Sequence, residues 1–452
     1  MIVLVSVVML AYAVGSVHIM RNFSDIGSAH DGQYTNVSAH LVREGVYSLG
    51  ARDAAGQLLP TATVPPLYTF LYAASYKMFG IGALANEPMR ILQMLAAIGT
   101  LLVSWCIGRM FSARAGNIAA TFAALDGTAF YFAQDYDIPD TLLGFFLALW
   151  LLFLVRFFRE HASVRNIAMS TVFLGLAMWT KITPFLLWVP VAAMLAIFLW
   201  KSPQVSRRHA VQVAAVFATI IAVFFGGWTM RNVIVVGATS FASGATSLRW
   251  NAAHLVAYQQ GISQPEARMQ LAEQYFPPAL VARGEGAVER EGGRAMARII
   301  LGSPVDFGIV TLRAMPGFFF GTFPSYLFAG AETARALEVR AAETHGMRAL
   351  LPELWGDGRY GYVLAYVFAK AHLLFLYGVG LVGAGVLLRR PRDRWVLALC
   401  VLTVAYVVAV SGAAAQARYR TTILTIAYVL AGIGLSAAYT WMHTRMRQRA
   451  AA

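Results

Sequence analysis

Charged side chains suited to acid–base and phosphate chemistry lie at the ends of long apolar segments of this chain. The carboxylates are Asp25, Asp31, Asp135, Asp137 and Asp140, and the cations are Lys181, Arg231, Arg418 and Arg420. A carboxylate can take a proton from a reacting hydroxyl. Arginine forms bidentate, charge-assisted hydrogen bonds with phosphate oxygens. Together these residue types indicate acid–base chemistry on a substrate that carries an anionic lipid phosphate.

The elements that must position these side chains are predicted to be membrane helices. Of the 452 residues, 58% are hydrophobic and 13% are charged, and the mean hydropathy is +0.60. A water-soluble chain of this length needs more charge to cover its surface. The apolar segments run for about 18–22 residues, as membrane helices do, whereas barrel strands alternate over about 10. The sequence predicts an all-α polytopic membrane protein.

Membrane topology explains the net charge of +14 better than nucleic-acid binding does. Basic residues cluster in five short segments: RMFSAR, RFFREHASVR, KSPQVSRRH, RRPRDR and HTRMRQR. Short loops rich in lysine and arginine remain on the cytoplasmic side of a membrane. Both chain termini are therefore predicted to be cytoplasmic, with residues 442–452 forming a basic tail.

This charge pattern predicts about ten transmembrane helices in a single domain, residues 1–441. The predicted spans are 2–20, 88–108, 116–134, 141–156, 166–182, 184–200, 210–228, 362–388, 395–412 and 421–441. The first is interpreted as an uncleaved span, because it lacks a basic start and a small-residue cleavage site. The outer side then receives residues 21–87, 135–140, 229–361 and 413–420.

Two further apolar stretches, 64–82 and 304–323, do not fit this count. Each begins near a proline and contains a basic residue, Lys77 or Arg313. We predict that both are helices lying in the outer membrane interface; the alternative is that they are short spans. The outer segment 229–361 is less apolar than the rest and predicts further surface helices, but no separate soluble domain.

No metal or disulfide is required by the sequence. Cys106 and Cys400 lie inside apolar segments, where a disulfide is not expected. The histidines His30, His40 and His254 show no pair with zinc-ligand spacing. Two acidic loops could bind a divalent cation, but arginine and lysine can supply the same positive charge.

The predicted topology brings the charged residues to the outer ends of the spans. Arg231 and Arg418 run against the positive-inside bias, which indicates a functional partner such as a lipid phosphate. Other residues keep simpler interpretations. Asp140 follows Pro139 and could cap the next helix, and Lys181 could extend its ammonium group to the interface.

Six motifs, in their order along the chain, resemble the GT-C glycosyltransferases, in particular the protein O-mannosyltransferase and aminoarabinose transferase group. They are HDGQYTNVSAHLVREG, PPLYTFLYAASYKMFG, YDIPD, GLAMWTKITP, GGWTMRN and ARYRTTILT. The resemblance extends over about residues 20–435. The chain departs from the family in the first motif, where Tyr34 follows Asp31 by three positions and His30 takes the usual acidic position. It departs again at Val64, where the family often has a basic residue.

The resemblance implies transfer of a sugar from a polyprenyl phosphate to an acceptor hydroxyl by an inverting single displacement. Asp31, or otherwise Asp25, would be the base, and Asp140 would position the acceptor or orient a basic group. The residues implied in binding the lipid phosphate are Lys181, Arg231, Arg418, Arg420 and Arg90. Those implied in supporting the acceptor or the loop are His30, Tyr34 and Asp137.

The resemblance also implies an integral protein of a bacterial inner membrane, with its active site on the periplasmic face. Its partners would be a polyprenyl-linked sugar, membrane lipids, and a lipid, glycan or protein acceptor. A polymerase or ligase of lipid-linked glycans is an alternative, and so are a lipid-carrier transporter and a structural subunit. A transporter would place charges near the membrane midplane and show repeated halves, and the sequence has neither feature.

Overall fold

The computed structural model describes most of the chain from Gly32 onward. The described residues are 32–321 without 54, 135–137, 161, 203–204, 240 and 243, followed by 352, 354–357 and 360–451. The first predicted span and the candidate residues Asp25, His30, Asp31 and Asp137 lie outside this part. The structure is 83% helical, and the described residues contain no strand beyond one isolated bridge, Arg52 to Leu58.

The described helices are numbered here in chain order. The first nine are α1 (Gln33–Glu44), α2 (Pro66–Phe79), α3 (Asn86–Arg109), α4 (Ala113–Leu125), α5 (Gly127–Gln134), α6 (Asp140–Arg159), α7 (Val164–Thr180), α8 (Trp188–Lys201) and α9 (Arg207–Val236). The others are α10 (Gly244–Gln260), α11 (Gln264–Tyr275), α12 (Pro278–Val281), α13 (Glu285–Gly302), α14 (Pro304–Phe320), α15 (Tyr360–Arg389), α16 (Arg394–Ser411) and α17 (Leu424–Ala451).

Six of these helices are long and apolar enough to cross a membrane: α3, α6, α9, α15, α16 and α17. The pair α13 and α14 is a seventh candidate, although the two helices meet at an angle of 90°. The prediction of a helical, membrane-spanning protein is therefore confirmed. The number of ten spans is not confirmed, in part because the first of them lies outside the described residues.

Three of the predicted spans differ from an unbroken membrane helix. The predicted span 116–134 is split into α4 and α5 at Asp126, whose carboxylate accepts the backbone N–H of Ala129 at 3.1 Å and so begins a new helix. The other two are represented by α7, with 17 residues, and α8, with 14. The helix α8 begins late because the chain turns through residues 182–187, which include Pro184.

The helix α2 has the features predicted for residues 64–82. Its 14 residues extend about 21 Å, less than the roughly 30 Å hydrocarbon core of a bilayer. Tyr68, Tyr72 and Tyr76 form a buried stripe on one face, while Phe70 and Met78 on other faces are exposed. This amphipathic pattern favours an interfacial helix, although a position in the membrane stays a prediction for α2 as it does for α14.

The helix α6 lies at the centre of the bundle. It carries Trp150, Leu154 and Phe157, all buried, into a large apolar core shared with α3, α7, α8, α9 and α16.

The helices α15 and α17 are in close contact through Gly383 and Gly434. A Cβ atom built on Gly434 would lie 2.2 Å from the backbone oxygen of Val379, so the two helix backbones approach directly.

Three of the basic loops meet at one end of the bundle, which we call the basic end. There the Arg159 guanidinium lies 3.2 Å from the buried carboxylate of Asp393, and the Arg392 side chain donates to the Arg159 carbonyl at 2.6 Å. Arg159 also donates to the carbonyl of Met110 and lies over the ring of Phe111. These contacts join the α3–α4, α6–α7 and α15–α16 loops, as expected if they share one side of a membrane.

The substitution Gly434→Ala tests the contact between α15 and α17. The new methyl group would overlap the α15 backbone, and overpacking of this kind destabilises a protein by about 1–3 kcal/mol. Gly385→Ala is the matched control, because a Cβ atom at Gly385 meets no atom within 4 Å. Thermal unfolding in detergent should show a lower midpoint for the first variant and an equal or higher one for the control. Equal unfolding temperatures in the unmodified protein, Gly434→Ala and Gly385→Ala would contradict the close contact.

His254 gives the helix α10 a predicted dependence on pH. Burial lowers the pKa of His254 below its ordinary value, so the unfolded segment binds a proton more readily than the folded one. Stability contributed by α10 should therefore be lost as the pH falls below about 6.5. Hydrogen exchange of α10, corrected for intrinsic rates, should be faster at about pH 5 than at about pH 7. His254→Gln should remove this difference; protection that is independent of pH in the unmodified protein would disprove it.

Candidate active site

The bundle brings Asp140 and Lys181 together at the end opposite the basic loops, here called the site end. Because α6 and α7 are antiparallel neighbours joined by a short basic loop, the first residue of α6 meets the residue after α7. Pro139 precedes α6, and the extended backbone of Lys181 ends α7. The Lys181 ammonium lies 2.6 Å from Asp140 Oδ1.

This ion pair is almost fully removed from solvent. Asp140 is 0% exposed and the Lys181 side chain 14%. Removing two ions from water costs several kcal/mol for each, and close contact recovers that cost only when both charges remain. Asp140 Oδ2 is buried and accepts no hydrogen bond from the described residues. One carboxylate oxygen therefore orients Lys181, and the other is available to a further donor.

Arg418 and Tyr419 extend this group. Both lie in the short helical turn Ala417–Thr422, which begins with the ARYR motif. The Lys181 ammonium lies 4.9 Å from the centre of the Tyr419 ring, and the Arg418 guanidinium lies 5.1 Å from it. Arg418 also donates to the Tyr419 hydroxyl at 3.2 Å. Two predicted phosphate-binding cations from distant parts of the chain thus flank one aromatic ring.

Tyr34, in the first turn of α1, lies close to the ion pair. Its hydroxyl is 3.5 Å from the carbonyl oxygen of Thr180, the residue before Lys181, and its ring packs edge-on against Tyr68. Burial raises the pKa of the Tyr34 phenol, and the nearby charge of Asp140 raises it further. The phenol therefore stays protonated and can serve as a hydrogen-bond donor rather than as a base.

Arg231 belongs to a neighbouring group at the site end. Its guanidinium lies 5.0 Å from the centre of the Tyr47 ring and 4.9 Å from that of Trp228. It donates to the carbonyl oxygen of Thr61 at 2.7 Å. Glu285 accepts from the Ala62 N–H at 2.9 Å, so Arg231 and Glu285 together hold the loop that leads into α2. The described contacts do not join Arg231 to the Asp140–Lys181 pair.

Arg420 contacts the end of another helix. It is fully buried, and one of its nitrogens donates to the carbonyl oxygens of Phe318, Phe319 and Gly321 at 3.2, 2.7 and 2.9 Å. Lys370 donates to the next carbonyl, that of Phe320. These cations satisfy the last carbonyls of α14, where the helix dipole favours positive charge. Phosphate binding by Arg420 stays a prediction.

Arg90 is the last of the predicted phosphate-binding residues. It is buried near the start of α3 and donates to Glu87 at 2.9 Å, one helical turn earlier. The partly exposed carboxylate of Glu87 offsets its charge. A role for Arg90 in phosphate binding also stays a prediction. Asp25, Asp31, His30 and Asp137 lie outside the described residues.

Gln93 is a supporting residue that the sequence analysis missed. Its amide nitrogen donates to the Tyr68 hydroxyl at 3.0 Å and to the Ile138 carbonyl, and its amide oxygen accepts from the Leu142 N–H at 2.9 Å. One buried side chain on α3 therefore fixes α2, the second acidic loop and the start of α6. A glutamine inside an apolar span is the signal that could have identified it.

The described residues contain no group of three or more His, Cys, Asp or Glu side chains that could hold a metal ion. The two predicted acidic loops are only partly described. The absence of a metal requirement therefore stays a prediction.

Part of the chain matches a known protein family. Residues 63–228 match the family model described as dolichyl-phosphate-mannose-protein mannosyltransferase. The matched part includes Asp140 and Lys181 and ends before Arg231. No curated protein sequence gives a significant match to the chain.

Solved structures share the fold. One is the oligosaccharyltransferase AglB from Archaeoglobus fulgidus in complex with an inhibitory peptide and a dolichol-phosphate. It aligns with a TM-score of 0.52 and 13% identity, and the alignment covers 99% of this chain and 52% of the AglB chain. An Archaeoglobus fulgidus oligosaccharyltransferase with Zn and sulfate gives 0.53 and 14%, covering 97% and 50%. The chain thus spans about half the length of these proteins.

A further structure, ArnT from Cupriavidus metallidurans bound to undecaprenyl phosphate, aligns with 15% identity and a TM-score of 0.39, covering 96% of this chain and 77% of its own. The resemblance to the GT-C glycosyltransferases is confirmed by the family match and by the fold shared with the archaeal oligosaccharyltransferases. It places the chain in the class of helical membrane proteins built on this fold.

A double-mutant cycle tests the ion pair. Asp140→Asn or Lys181→Met alone leaves one buried charge without its partner and should lower stability by about 3–5 kcal/mol. The double variant should lose clearly less stability than the sum of the losses in the two single variants, because no lone charge remains. Unfolding of the four proteins in one detergent measures both effects.

The exposed pair of Arg52 and Glu44, 3.0 Å apart, supplies a matched control. Exposed ion pairs contribute little to stability, so the same cycle at these positions should show little coupling. Additive effects at Asp140 and Lys181 would contradict the buried ion pair.

Proposed function

We propose that this chain is a membrane glycosyltransferase that moves a sugar from a polyprenyl phosphate to an acceptor hydroxyl. The observation that carries the proposal is the buried Asp140–Lys181 pair at the site end, flanked by Arg418 and Tyr34. Both members of the pair lie in the segment that matches the mannosyltransferase family model. Four regions far apart in sequence thus converge on one place that combines a carboxylate, two cations and a phenol.

The proposed reaction is a single displacement with inversion at the anomeric carbon. The acceptor oxygen forms a bond to that carbon while the bond between the carbon and the phosphate oxygen breaks. The base takes the proton of the acceptor hydroxyl, and the electron pair leaves with the polyprenyl phosphate. Asp31 is the proposed base and Asp25 the second candidate, since both precede α1 in the sequence and α1 carries Tyr34 to the ion pair.

The cations are proposed to stabilise the leaving phosphate as its charge grows. Fixed positive groups in a site shielded from water do this effectively, because they need not reorganise during the reaction. Lys181 is held in place by Asp140, and both Lys181 and Arg418 contact the Tyr419 ring. Arg231 is a further candidate, because its hydrogen bonds with described residues go to a carbonyl and an amide oxygen rather than to a carboxylate. Tyr34 would donate a hydrogen bond to the donor or the acceptor.

Asp140 is proposed to position other groups rather than to act as the base. Its Oδ1 atom is already engaged by Lys181, so it fixes the ammonium group toward the phosphate. Its Oδ2 atom could accept a hydrogen bond from a hydroxyl of the acceptor or of the donor sugar. In this role its removal would affect both phosphate binding and the reaction.

The proposed location is a bacterial inner membrane, with the site end on the periplasmic face and both termini in the cytoplasm. The positive-inside distribution of the basic loops supports this orientation. The proposed partners are a polyprenyl-linked sugar and a lipid, glycan or protein acceptor. We propose that no metal is required, because Lys181, Arg231 and Arg418 can supply the positive charge; a divalent cation bound by the two acidic loops is the alternative.

A transfer assay tests the proposed function. Purified protein in lipid nanodiscs would receive a panel of radiolabelled polyprenyl-phosphate sugars and a membrane extract as the acceptor, with a chelator or with added divalent metal. Asp31→Asn and Lys181→Met should each lower the transfer rate by about 10²–10³-fold. Arg447→Gln, in the exposed C-terminal part of α17, is the matched control and should retain full activity.

Binding measurements separate the role of Lys181 in holding the lipid phosphate from the role of Asp31 as the base. Lys181→Met should weaken binding of sugar-free polyprenyl phosphate, whereas Asp31→Asn should leave it unchanged. Full activity of Asp31→Asn would move the base to Asp25. If the unmodified protein transfers none of the sugars under any metal condition, the proposed glycosyltransferase function fails. Transfer of whole glycans but not of single sugars would support a glycan ligase instead.

A further inference from the structure

An apolar groove lies on the surface of the bundle away from the Asp140–Lys181 pair. It has a volume of about 730 Å³ and runs along α16 between α8 and the end of α15. Its walls are almost entirely apolar, and the polar side chains of its lining are those of Arg394 and Tyr406. Such a volume is in the range of small-molecule binding sites, roughly 300–1,000 Å³.

The sequence explains why the helices leave this space. Ala398, Ala405 and Ala409 lie on the groove side of α16, so the helix presents small side chains where a neighbouring helix would need large ones. The neighbour α8 has only 14 residues and contributes Pro190 to the wall. A helix of that length extends about 21 Å and does not fill the space along α16.

Positive charge is concentrated where the groove reaches the basic end. Arg394 lines the groove, and its Nε donates to the Leu388 carbonyl at 3.0 Å, which holds the guanidinium at the groove mouth. Arg389 and Arg390 are exposed close by. The nearby carboxylate of Asp393 is buried and lies 3.2 Å from Arg159 and 4.0 Å from Arg390, so it offsets this exposed charge only in part.

We propose that this groove binds an anionic phospholipid, with its phosphate on Arg394 and an acyl chain along α16. Guanidinium groups bind phosphate in bidentate fashion, and basic pockets between membrane helices recognise anionic headgroups. The 15 helical steps from Arg394 to Ala409 extend about 22 Å, which accommodates a chain from one leaflet, about half of the roughly 30 Å hydrocarbon core.

The position of the charge favours this occupant over two others. A polyprenyl donor would place its phosphate near Lys181, at the other end of the bundle, and would leave Arg394 without an anion. A second copy of the chain would have to match an arginine cluster with carboxylates, and the basic loops that surround the groove supply few. The exclusion of the donor rests on the proposed function, whereas the argument from the arginines and the apolar walls does not.

The bound lipid would stabilise a loop next to the candidate active site. Tyr406 lines the groove, and its hydroxyl donates to the Thr183 carbonyl at 2.9 Å and accepts from the Leu186 N–H at 3.1 Å. These residues belong to the turn that follows Lys181. An acyl chain packed against Tyr406 would hold the tyrosine, and through it this turn, in position.

Native mass spectrometry and thermal unfolding in a mild detergent test the inference. The delipidated protein would be given phosphatidylglycerol or phosphatidylethanolamine with the same acyl chains. The unmodified protein should retain phosphatidylglycerol more strongly and unfold at a higher temperature with it. Arg394→Gln should weaken this retention about fivefold, the contribution expected of one arginine near a lipid headgroup. Arg447→Gln, an exposed arginine away from the groove, should leave retention unchanged.

The variant Ala405→Trp would fill the groove and should abolish the preference while the protein remains folded. Arg394→Gln, at an exposed position, keeps the test informative if the tryptophan variant does not fold. Equal retention of the two lipids by the unmodified protein would overturn the inference, and so would unchanged retention in Arg394→Gln. Displacement of phosphatidylglycerol by polyprenyl phosphate would assign the groove to the donor instead. A monomer–dimer shift in Ala405→Trp without lipid loss would assign it to a second copy.

Discussion

The buried ion pair of Asp140 and Lys181 is the interaction on which the arrangement of the site depends. Two ions withdrawn from water are stable only in close contact, so the pair fixes the register of α6 against α7. One helical turn below Asp140, Gly144 has no side chain, and a Cβ atom there would lie 3.0 Å from the Thr421 carbonyl. The turn that carries Arg418 and Tyr419 can therefore rest directly on α6. A single electrostatic constraint and one small residue thus bring three predicted motifs together.

Polar side chains inside apolar helices supply hydrogen-bond partners for the backbone groups at helix ends. In a medium without water, each backbone group at a helix end must find a partner within the protein. Gln93 supplies one at the start of α6 by accepting from the Leu142 N–H. Asp126 supplies another between α4 and α5, and it accepts a hydrogen bond from Tyr428 at 2.9 Å. Arg420 does the same for the last carbonyls of α14. The site is therefore supported by buried polar contacts in three separate places.

The sequence predicted the helical membrane fold and the convergence of Asp140, Lys181 and Arg418, because hydropathy and loop charge determine which span ends share a side. It did not predict the break at Asp126, because apolar neighbours conceal a single carboxylate in a window of about 19 residues. The contact between Glu285 and Ala62 joins residues 223 positions apart, and no local pattern encodes it. Burial of Arg420 against α14 is likewise a tertiary feature, invisible in a motif that shows only an arginine at a span end.

The two ends of the bundle use positive charge in different ways. At the basic end, Asp393 neutralises Arg159 and the loops are joined by the resulting contacts. At the site end, Asp140 offsets Lys181, whereas Arg231 is held by two aromatic rings, a carbonyl and an amide and forms no ion pair with a described residue. Such contacts orient a cation but leave its charge for another partner. In the orientation proposed above, this positive charge lies on the face where the positive-inside rule disfavours it. An anion that binds there recovers the cost of that placement.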